Sequence, residues 1–187
     1  MKPHRIGQRI VITSSSNRWV ATIDSSIPQW QRQSLELWFG AWIALGAMLG
    51  YGALARPEEE QMFYAICLAF WSFFALRAWR AVRWRRSGLE VIQLDEDGLT
   101  IRMDHGPRQG KPEHLSWGEL QSIETVPPNP KSFLESMDQQ FWVVGGERLL
   151  IHGGRRPLVV GKQLSPQDAN ALRQALEKGI KRLKPTS

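Results

Sequence analysis

Two long apolar stretches dominate the first half of the chain. Leu37–Ala55 contains nineteen residues without a charged side chain, and Gln61–Leu76 contains sixteen more. Nineteen helical residues span roughly 28 Å, close to the hydrocarbon thickness of a bilayer. The first stretch contains four glycines, which weaken a helix in water but are common in membrane helices. The pattern therefore predicts transmembrane helices at about 35–55 and 61–79.

The link between the two predicted spans is only five residues long, and three of these are glutamates. So short a link requires an antiparallel helical hairpin, which we assign to residues 34–86. Lipid supplies no hydrophobic drive for helix pairing, so small side chains that allow close approach favour contact. We predict that a stripe of small residues on each span faces the other, with Trp38, Phe39, Trp71 and Phe74 on the outer faces. The stripes are Gly46, Gly50 and Ala53 on the first span and Ala65, Ala69 and Ser72 on the second.

Beyond Ser87 the apolar positions alternate along the chain. Leu89–Leu94 and Leu99–Met103 predict two strands around an Asp-Gly turn, a strong signal for a β-hairpin. Apolar residues then recur at three- and four-residue spacing behind a helix start at Ser165-Pro166. The predicted fold of 87–187 is a small antiparallel β domain closed by a C-terminal helix. Further strands are predicted within 114–126 and at 140–144, 148–152 and 158–160, with a mobile insertion at 131–139.

The first 33 residues are treated as a separate cytoplasmic segment. Within it, Ile10–Ile23 either forms a short hairpin through Ser14–Asn17 or is a tail that becomes ordered on a partner. Residues 88–187 are expected to fold when expressed alone, with Leu172 and Leu176 in the core. The chain as a whole is predicted to be an α+β membrane protein.

The net charge of the chain comes from the neighbourhood of the apolar stretches. Lysine and arginine outnumber aspartate and glutamate by 24 to 18, and the whole surplus of +6 lies in residues 1–87. Ten basic residues flank the spans on the side of the termini, and only Arg56 lies in the connecting loop. The positive-inside rule predicts that both termini are cytoplasmic. A basic chain can indicate nucleic-acid binding, but basic residues that flank membrane-length segments argue against it.

A group of five arginines follows the second span within ten residues. We interpret it first as a topology anchor and second as a candidate site for anionic lipid headgroups. The region from Gly88 onwards has thirteen basic and thirteen acidic side chains, which counts against headgroup binding by that region. Its one local basic cluster is Arg155-Arg156 with Lys162, a set more often found in a solvated turn. The five arginines are Arg77, Arg80, Arg83, Arg85 and Arg86.

Motifs of catalytic or metal-binding proteins are absent from the sequence. The four histidines show no HxxxH, HxH or HExxH spacing. Cys67 lies within the second predicted span, where a thiol stays protonated and inert. Neither span contains a histidine for haem, or a buried ionisable residue for an ion pathway. We therefore expect no enzymatic activity, no cofactor and no metal ion.

The order of elements after Ser87 resembles that of a bacterial pleckstrin-homology-like (PH-like) domain. The resemblance rests on the hairpin Leu89–Met103, a W-x-E-L-x-x-I motif at Trp117–Ile123, short strands with glycine turns, and the closing helix. Two spans ahead of such a domain resemble an uncharacterised family of bacterial inner-membrane proteins. Genes of that family often stand beside those of haem-copper terminal oxidases. The resemblance therefore implies a cytochrome oxidase of the respiratory chain as a candidate partner.

Two functions follow as expectations. The first is an accessory, assembly or scaffold subunit of a bacterial inner-membrane complex, with the hairpin against the complex and the cytosolic domain on a partner. The alternative is a membrane-anchored PH-like module that binds a lipid headgroup. The fold alone does not decide between them, because one fold serves many functions.

Overall fold

The computed structural model describes residues 3–126, 146, 148–154 and 156–184. These residues contain three α-helices and nine β-strands, so this part of the chain combines helices with antiparallel sheet. The helices are α1 (Gln29–Ala55), α2 (Glu58–Ser87) and α3 (Pro166–Leu183). The strands are β1 (His4–Ile6), β2 (Ile10–Ser14), β3 (Trp19–Asp24), β4 (Gly88–Leu94), β5 (Gly98–His105), β6 (Glu113–Ser116), β7 (Leu120–Thr125), β8 (Leu149–Gly153) and β9 (Leu158–Val160).

The nine described strands form two antiparallel sheets. One contains β1 to β6 in chain order, and the other contains β7, β8 and β9. These strands confirm those predicted at 89–94, 99–103, 148–152 and 158–160, and the 114–126 region divides into β6 and β7 around a turn. The predicted strand at 140–144 and the predicted insertion at 131–139 lie outside the described residues.

The N-terminal residues form part of the larger sheet. Of the two alternatives for Ile10–Ile23, the structure has the hairpin, in which Ile10 pairs with Ile23. Strand β3 then pairs with β4 along its whole length, from Trp19 opposite Leu94 to Asp24 opposite Leu89. The residues up to Ser26 therefore share one compact unit, which we call the sheet unit, with the C-terminal region, whereas the hairpin residues Ile27–Arg85 belong to a second unit.

The core of the sheet unit draws on both parts of the chain. Its N-terminal members alternate along β2 and β3, as expected for strands with one buried face. Residues 88–187 lack these side chains, so the core of the sheet unit extends beyond the region assigned to the β domain from the sequence. The N-terminal members are Ile10, Ile12, Trp19, Ala21 and Ile23, which are clustered with Ile92, Leu94, Leu149, Leu172 and Leu176.

The C-terminal helix begins where the sequence predicts. The Ser165 hydroxyl oxygen accepts a hydrogen bond from the Asp168 backbone N–H at 3.0 Å, and Pro166 occupies the first turn. Leu172 and Leu176 are fully buried, which confirms their predicted place in the core. The helix contacts strands of both sheets, so it covers the core at the junction between them.

The W-x-E-L-x-x-I motif forms the turn that leads from one sheet to the other. The indole N–H of Trp117 donates to the carbonyl oxygen of Glu96 at 2.9 Å. The Glu119 carboxylate accepts from the backbone N–H and the hydroxyl of Ser116, at 3.1 and 2.8 Å, and these bonds lower the pKa of Glu119. The apolar members of the motif pack against the core. In this structure the motif therefore has a structural role.

Candidate functional site

Large apolar side chains cover the outside of α1 and α2. At 27 and 30 residues, both helices are long and apolar enough to cross a membrane. In the most apolar 18-residue window of each, only 11% of the residues are buried, whereas a core helix of a soluble protein is mostly buried. An exposed apolar surface of this extent indicates contact with lipid or with another protein. Its most exposed members include Leu37, Met48, Leu54, Met62, Phe63 and Phe70.

In the sequence, the hairpin is inserted between β3 and β4, which are neighbouring strands of the sheet. Strand β3 ends at Asp24, and four residues separate it from the start of α1 at Gln29. Strand β4 begins at Gly88, directly after α2 ends at Ser87. Because Asp24 and Leu89 are paired, both ends of the hairpin are tied to the same end of the sheet. The two helices therefore leave and re-enter the sheet unit at one place.

The tip of the hairpin is stabilised by local hydrogen bonds. The Arg56 backbone N–H donates to the Gly52 carbonyl oxygen at 3.2 Å, and the Gln61 side-chain amide donates to the Arg56 carbonyl oxygen at 2.8 Å. Three glutamates occupy the first turn of α2, where negative charge complements the helix dipole. The tip is therefore polar, in contrast to the apolar helices that it joins.

The interior of the hairpin is built from aromatic rings set against glycines. The Trp71 indole N–H donates to the Trp42 carbonyl oxygen at 2.8 Å, and a Cβ added at Gly46 would overlap the Trp71 ring. A Cβ at Gly52 would lie 2.6 Å from the Tyr64 ring. Each of these glycines is needed for its aromatic partner to approach the helix backbone.

The two predicted stripes of small residues do not face each other. Gly46 lies in the helix interface, but a Cβ at Gly50 would meet no described atom within 4 Å. Ala65 and Ala69 are exposed, and Ala53 and Ser72 are partly buried. Trp71, predicted on an outer face, packs inside the hairpin against α1. Matching depths along two helices do not determine their rotation, and the bulky indole gains both contact area and a hydrogen bond there.

Of the other three aromatic residues predicted on the outer faces, Trp38 and Phe74 are exposed, whereas Phe39 contacts the other helix. Its ring centroid lies 6.0 Å from that of Trp79 on the other helix, a distance typical of interacting aromatic pairs. Phe39 is partly buried and Trp79 is 50% exposed, so this contact between α1 and α2 lies at the edge of their interface.

The arginine group at the end of α2 is mostly exposed. The Arg77 guanidinium lies 6.0 Å from the Phe73 ring centroid, within the range of a cation–π contact. Arg85 is the exception, because its side chain is buried. The other four predicted lipid-headgroup residues, Arg77, Arg80, Arg83 and Arg86, are exposed.

A buried carboxylate organises the loop between β9 and α3. Glu90 is 1% exposed, and its carboxylate accepts from the backbone N–H groups of Gly161 at 2.6 Å and Lys162 at 3.1 Å. The Arg9 guanidinium holds the other side of this loop, donating to the carbonyl oxygens of Gln163 at 2.9 Å and Lys162 at 3.3 Å. Burial raises the pKa of Glu90 and lowers the pKa of Arg9. The network links the N-terminal strands to the start of α3.

Lys162 belongs to this buried network and not to a surface cluster. It is 8% exposed, and its ammonium group lies 3.1 Å from the sulfur of Met103. Arg156 is exposed, and Arg155 lies outside the described residues. Lys162 therefore does not form a surface cluster with Arg156, because its side chain is buried in the sheet unit.

The remaining candidates for chemistry are dispersed. Among the described residues, no group of three or more His, Cys, Asp or Glu side chains could hold a metal ion. His114 Nδ1 lies 3.0 Å from the Thr100 hydroxyl, and His152 Nε2 lies 3.5 Å from the Glu124 carboxylate. Cys67 is partly buried in α2. These are pairwise surface contacts and a single thiol.

Two open grooves border α3 on the sheet unit. One, of about 480 Å³, lies between α3 and the β1–β2–β3 side and includes Ile12, Trp19 and Arg182 in its lining. The other, of about 360 Å³, lies between α3 and β7. Comparison with known proteins finds no matching family model, curated protein or solved structure. Among the features of the described residues, the exposed apolar hairpin bears most directly on function.

Proposed function

We propose that the protein is a non-enzymatic accessory, assembly or scaffold subunit anchored in a bacterial inner membrane by the α1–α2 hairpin. The main support is the exposed apolar hairpin, which is inserted in the sequence between the paired strands β3 and β4. Since β3 and β4 are neighbours, they must lie on the same side of a membrane. Two antiparallel spans satisfy that requirement, and lipid or a membrane subunit would cover the exposed side chains.

We place both termini in the cytoplasm, because ten basic residues flank the hairpin on that side and one lies in its tip. Single cysteines at Glu59 and at Asp97, in a Cys67→Ser background, test this orientation. A membrane-impermeant maleimide added to intact spheroplasts should label Glu59→Cys, and it should label Asp97→Cys only after the membrane is permeabilised. Labelling of Asp97→Cys from outside would contradict the orientation.

The sheet unit is proposed to contain a PH-like domain made of β4 to β9 and α3. Two antiparallel sheets and a C-terminal helix that contacts both support this interpretation. Strands β1 to β3 would then be an extension that widens the first sheet. In this proposal the domain contacts a cytosolic face of the partner complex, and a haem-copper terminal oxidase is the candidate complex.

Purification in mild detergent, followed by mass spectrometry of the associated proteins, tests the partner proposal. A membrane complex should accompany the full chain in stoichiometric amount, and oxidase subunits should be among its members. A variant in which residues 26–87 are replaced by Asn-Gly is the matched control and should lose the complex. Isolation of the full chain without any stoichiometric protein partner would contradict the scaffold role.

The second candidate function is a membrane-anchored lipid-headgroup module. The observation that favours it is the exposure of four of the five arginines at the end of α2. In this case anionic lipid should co-purify with the full chain, and Arg80→Gln with Arg83→Gln should reduce the amount of that lipid. Equal lipid content in the wild type and the double variant would contradict headgroup binding by this group.

A further inference from the structure

The turn between β5 and β6 lies at the end of the sheet from which the hairpin leaves. His105, the last residue of β5, is paired with Gly88, the first residue of β4. The Gly106 backbone N–H donates to the carbonyl oxygen of Ser87 at 2.8 Å. Since Ser87 is the last residue of α2, this turn is hydrogen-bonded to the end of the second membrane-length helix.

The turn is held in a defined shape. His105 and Arg108 exchange two backbone hydrogen bonds, of 2.9 and 3.1 Å, around Gly106-Pro107. Gly106 has a φ of 58°, a conformation that favours glycine. The buried Asp104 carboxylate accepts from the Gly110 backbone N–H at 3.0 Å and from Arg102 Nε at 3.0 Å. The side chains that follow the turn are therefore presented from a preorganised backbone.

Arg108 and Lys111 are the exposed cations of this turn, and neither forms an ion pair with a described residue. The carboxylates near this end of the sheet face other cations. Asp104 is paired with Arg102, whereas Glu90, Asp24 and Asp168 act on Arg9. The turn therefore carries a local positive charge.

The opposite end of the β4–β5 hairpin is negatively charged. The β4–β5 turn contains Asp95, Glu96 and Asp97 without a basic residue. The exposed Glu113 pairs with Ile101 in the middle of β5, about 13 Å along the strand from His105. It lies two residues after Lys111, so it offsets part of the charge of Lys111 and leaves that of Arg108. Although the region from Gly88 onwards has equal numbers of acidic and basic side chains, these charges are unevenly distributed along β4 and β5.

The position of Ser87 puts the turn within reach of a membrane surface. If the second span ends near residue 79, the eight further residues of α2 extend about 12 Å beyond the hydrocarbon. The headgroup layer extends about 5–8 Å on each side of the hydrocarbon. Arginine and lysine side chains are long and place their charge away from the backbone, so they can cover the remaining distance.

We propose that Arg108 and Lys111 bind the phosphate groups of anionic lipids and hold the sheet unit against the cytoplasmic membrane surface. This inference rests on the membrane insertion of the hairpin proposed above. Arg108 and Lys111 are distant in the sequence from the exposed arginines at the end of α2. A basic side chain near an anionic surface favours the bound state by about fivefold, so the pair should favour it by about 25-fold.

A nitroxide at Gln109→Cys, in the full-length Cys67→Ser chain, measures the depth of the turn in nanodiscs. In phosphatidylcholine mixed with phosphatidylglycerol, the nitroxide should be shielded from a water-soluble nickel chelate. Arg108→Gln with Lys111→Gln should restore contact with the chelate, as should phosphatidylcholine alone or high salt, which screens the charges. The matched control, Lys181→Gln with Lys184→Gln, removes the same charge from the exposed C-terminal end of α3 and should leave the depth unchanged.

A second label separates this inference from the proposal on which it rests. A nitroxide at Ala69→Cys, on the exposed surface of α2, should be accessible to oxygen and shielded from the nickel chelate. If Ala69→Cys is at lipid depth but Gln109→Cys stays in water in anionic nanodiscs, the headgroup contact is wrong and membrane insertion stands. If Ala69→Cys is also in water, the membrane insertion itself is wrong.

Discussion

The backbone N–H of Ser25 donates to the carbonyl oxygen of Gly88 at 3.1 Å, although the entire α1–α2 hairpin lies between these residues in the sequence. The bond continues the ladder that pairs β3 with β4. The hairpin is therefore an insertion at a position where a simple turn would complete the sheet. Removal of the hairpin alone therefore leaves the sheet unit whole, whereas a cut after the hairpin separates β1 to β3 from the rest of the sheet.

Replacement of residues 26–87 by Asn-Gly should produce a folded, water-soluble protein. Ser25 and Gly88 then flank a two-residue loop, and Asn-Gly suits the type I′ turn that antiparallel strands prefer. The variant should show a cooperative thermal transition and dispersed amide resonances.

The fragment 88–187 is the matching comparison. It lacks the core side chains of β2 and β3, so it should aggregate or remain without a cooperative transition. A fragment that melts at the same temperature as the Asn-Gly variant would show that the N-terminal strands do not contribute to the core.

Gly46→Leu should loosen the hairpin, and Gly50→Leu should not. A side chain at position 46 would overlap the Trp71 indole, whereas position 50 faces open space among the described residues. Overpacking costs about 1–3 kcal/mol, while an outward substitution costs less than about 0.5 kcal/mol. The unfolding transition in detergent measures both variants, and an equal loss of stability would contradict the observed rotation of α1.

The stability of the sheet unit should depend on pH through Glu90. Its pKa is raised from 4.5 in the folded state, because burial outweighs the opposing Lys162 and Arg9 charges and the two N–H bonds. Between 4.5 and the raised value, the folded state binds more protons than the unfolded state. The contribution of Glu90 to stability therefore falls as pH rises through this window.

Glu90→Gln tests this dependence because glutamine does not titrate. Thermal melts of the Asn-Gly variant with and without Glu90→Gln should diverge with pH: the Glu90 form should lose stability relative to the Gln form as pH rises above 4.5. A constant difference across that range would show that Glu90 keeps an ordinary pKa. Glu90→Ala should cost about 3–5 kcal/mol, because it leaves buried charge and two backbone N–H groups without their carboxylate.

Leu172→Ala and Leu176→Ala should each destabilise the sheet unit by about 2–5 kcal/mol. Both side chains belong to α3 and are fully buried in the core. Val159→Ala is the control, since Val159 is 41% exposed and its truncation leaves a smaller cavity. Urea denaturation of the Asn-Gly variant measures all three, and a loss at Val159 equal to that at Leu176 would contradict the assignment of α3 to the core.

Local patterns along the chain determined most of the elements. The charge-free runs before and after residues 56–60 indicate the two long helices, alternation indicates β4 and β5, and Ser165-Pro166 marks the start of α3. Each of these signals depends on neighbouring residues only: the length of an apolar run, a period of two or 3.6, or a cap within one turn. They predict where an element lies and which of its residues share a face.

Only the tertiary structure decided which faces meet. Alternation in β3 does not reveal that its partner is β4, because the two strands are separated by the whole hairpin and any strand with the same period could compete. Small residues at Gly46 and Gly50 do not reveal the rotation of α1, since packing against Trp71 sets it. Lys162 has the charge of a surface residue, yet its loop is buried with Glu90. Each of these outcomes depends on contacts between distant parts of the chain, which are determined by complementary shape and hydrogen bonding and not by sequence period.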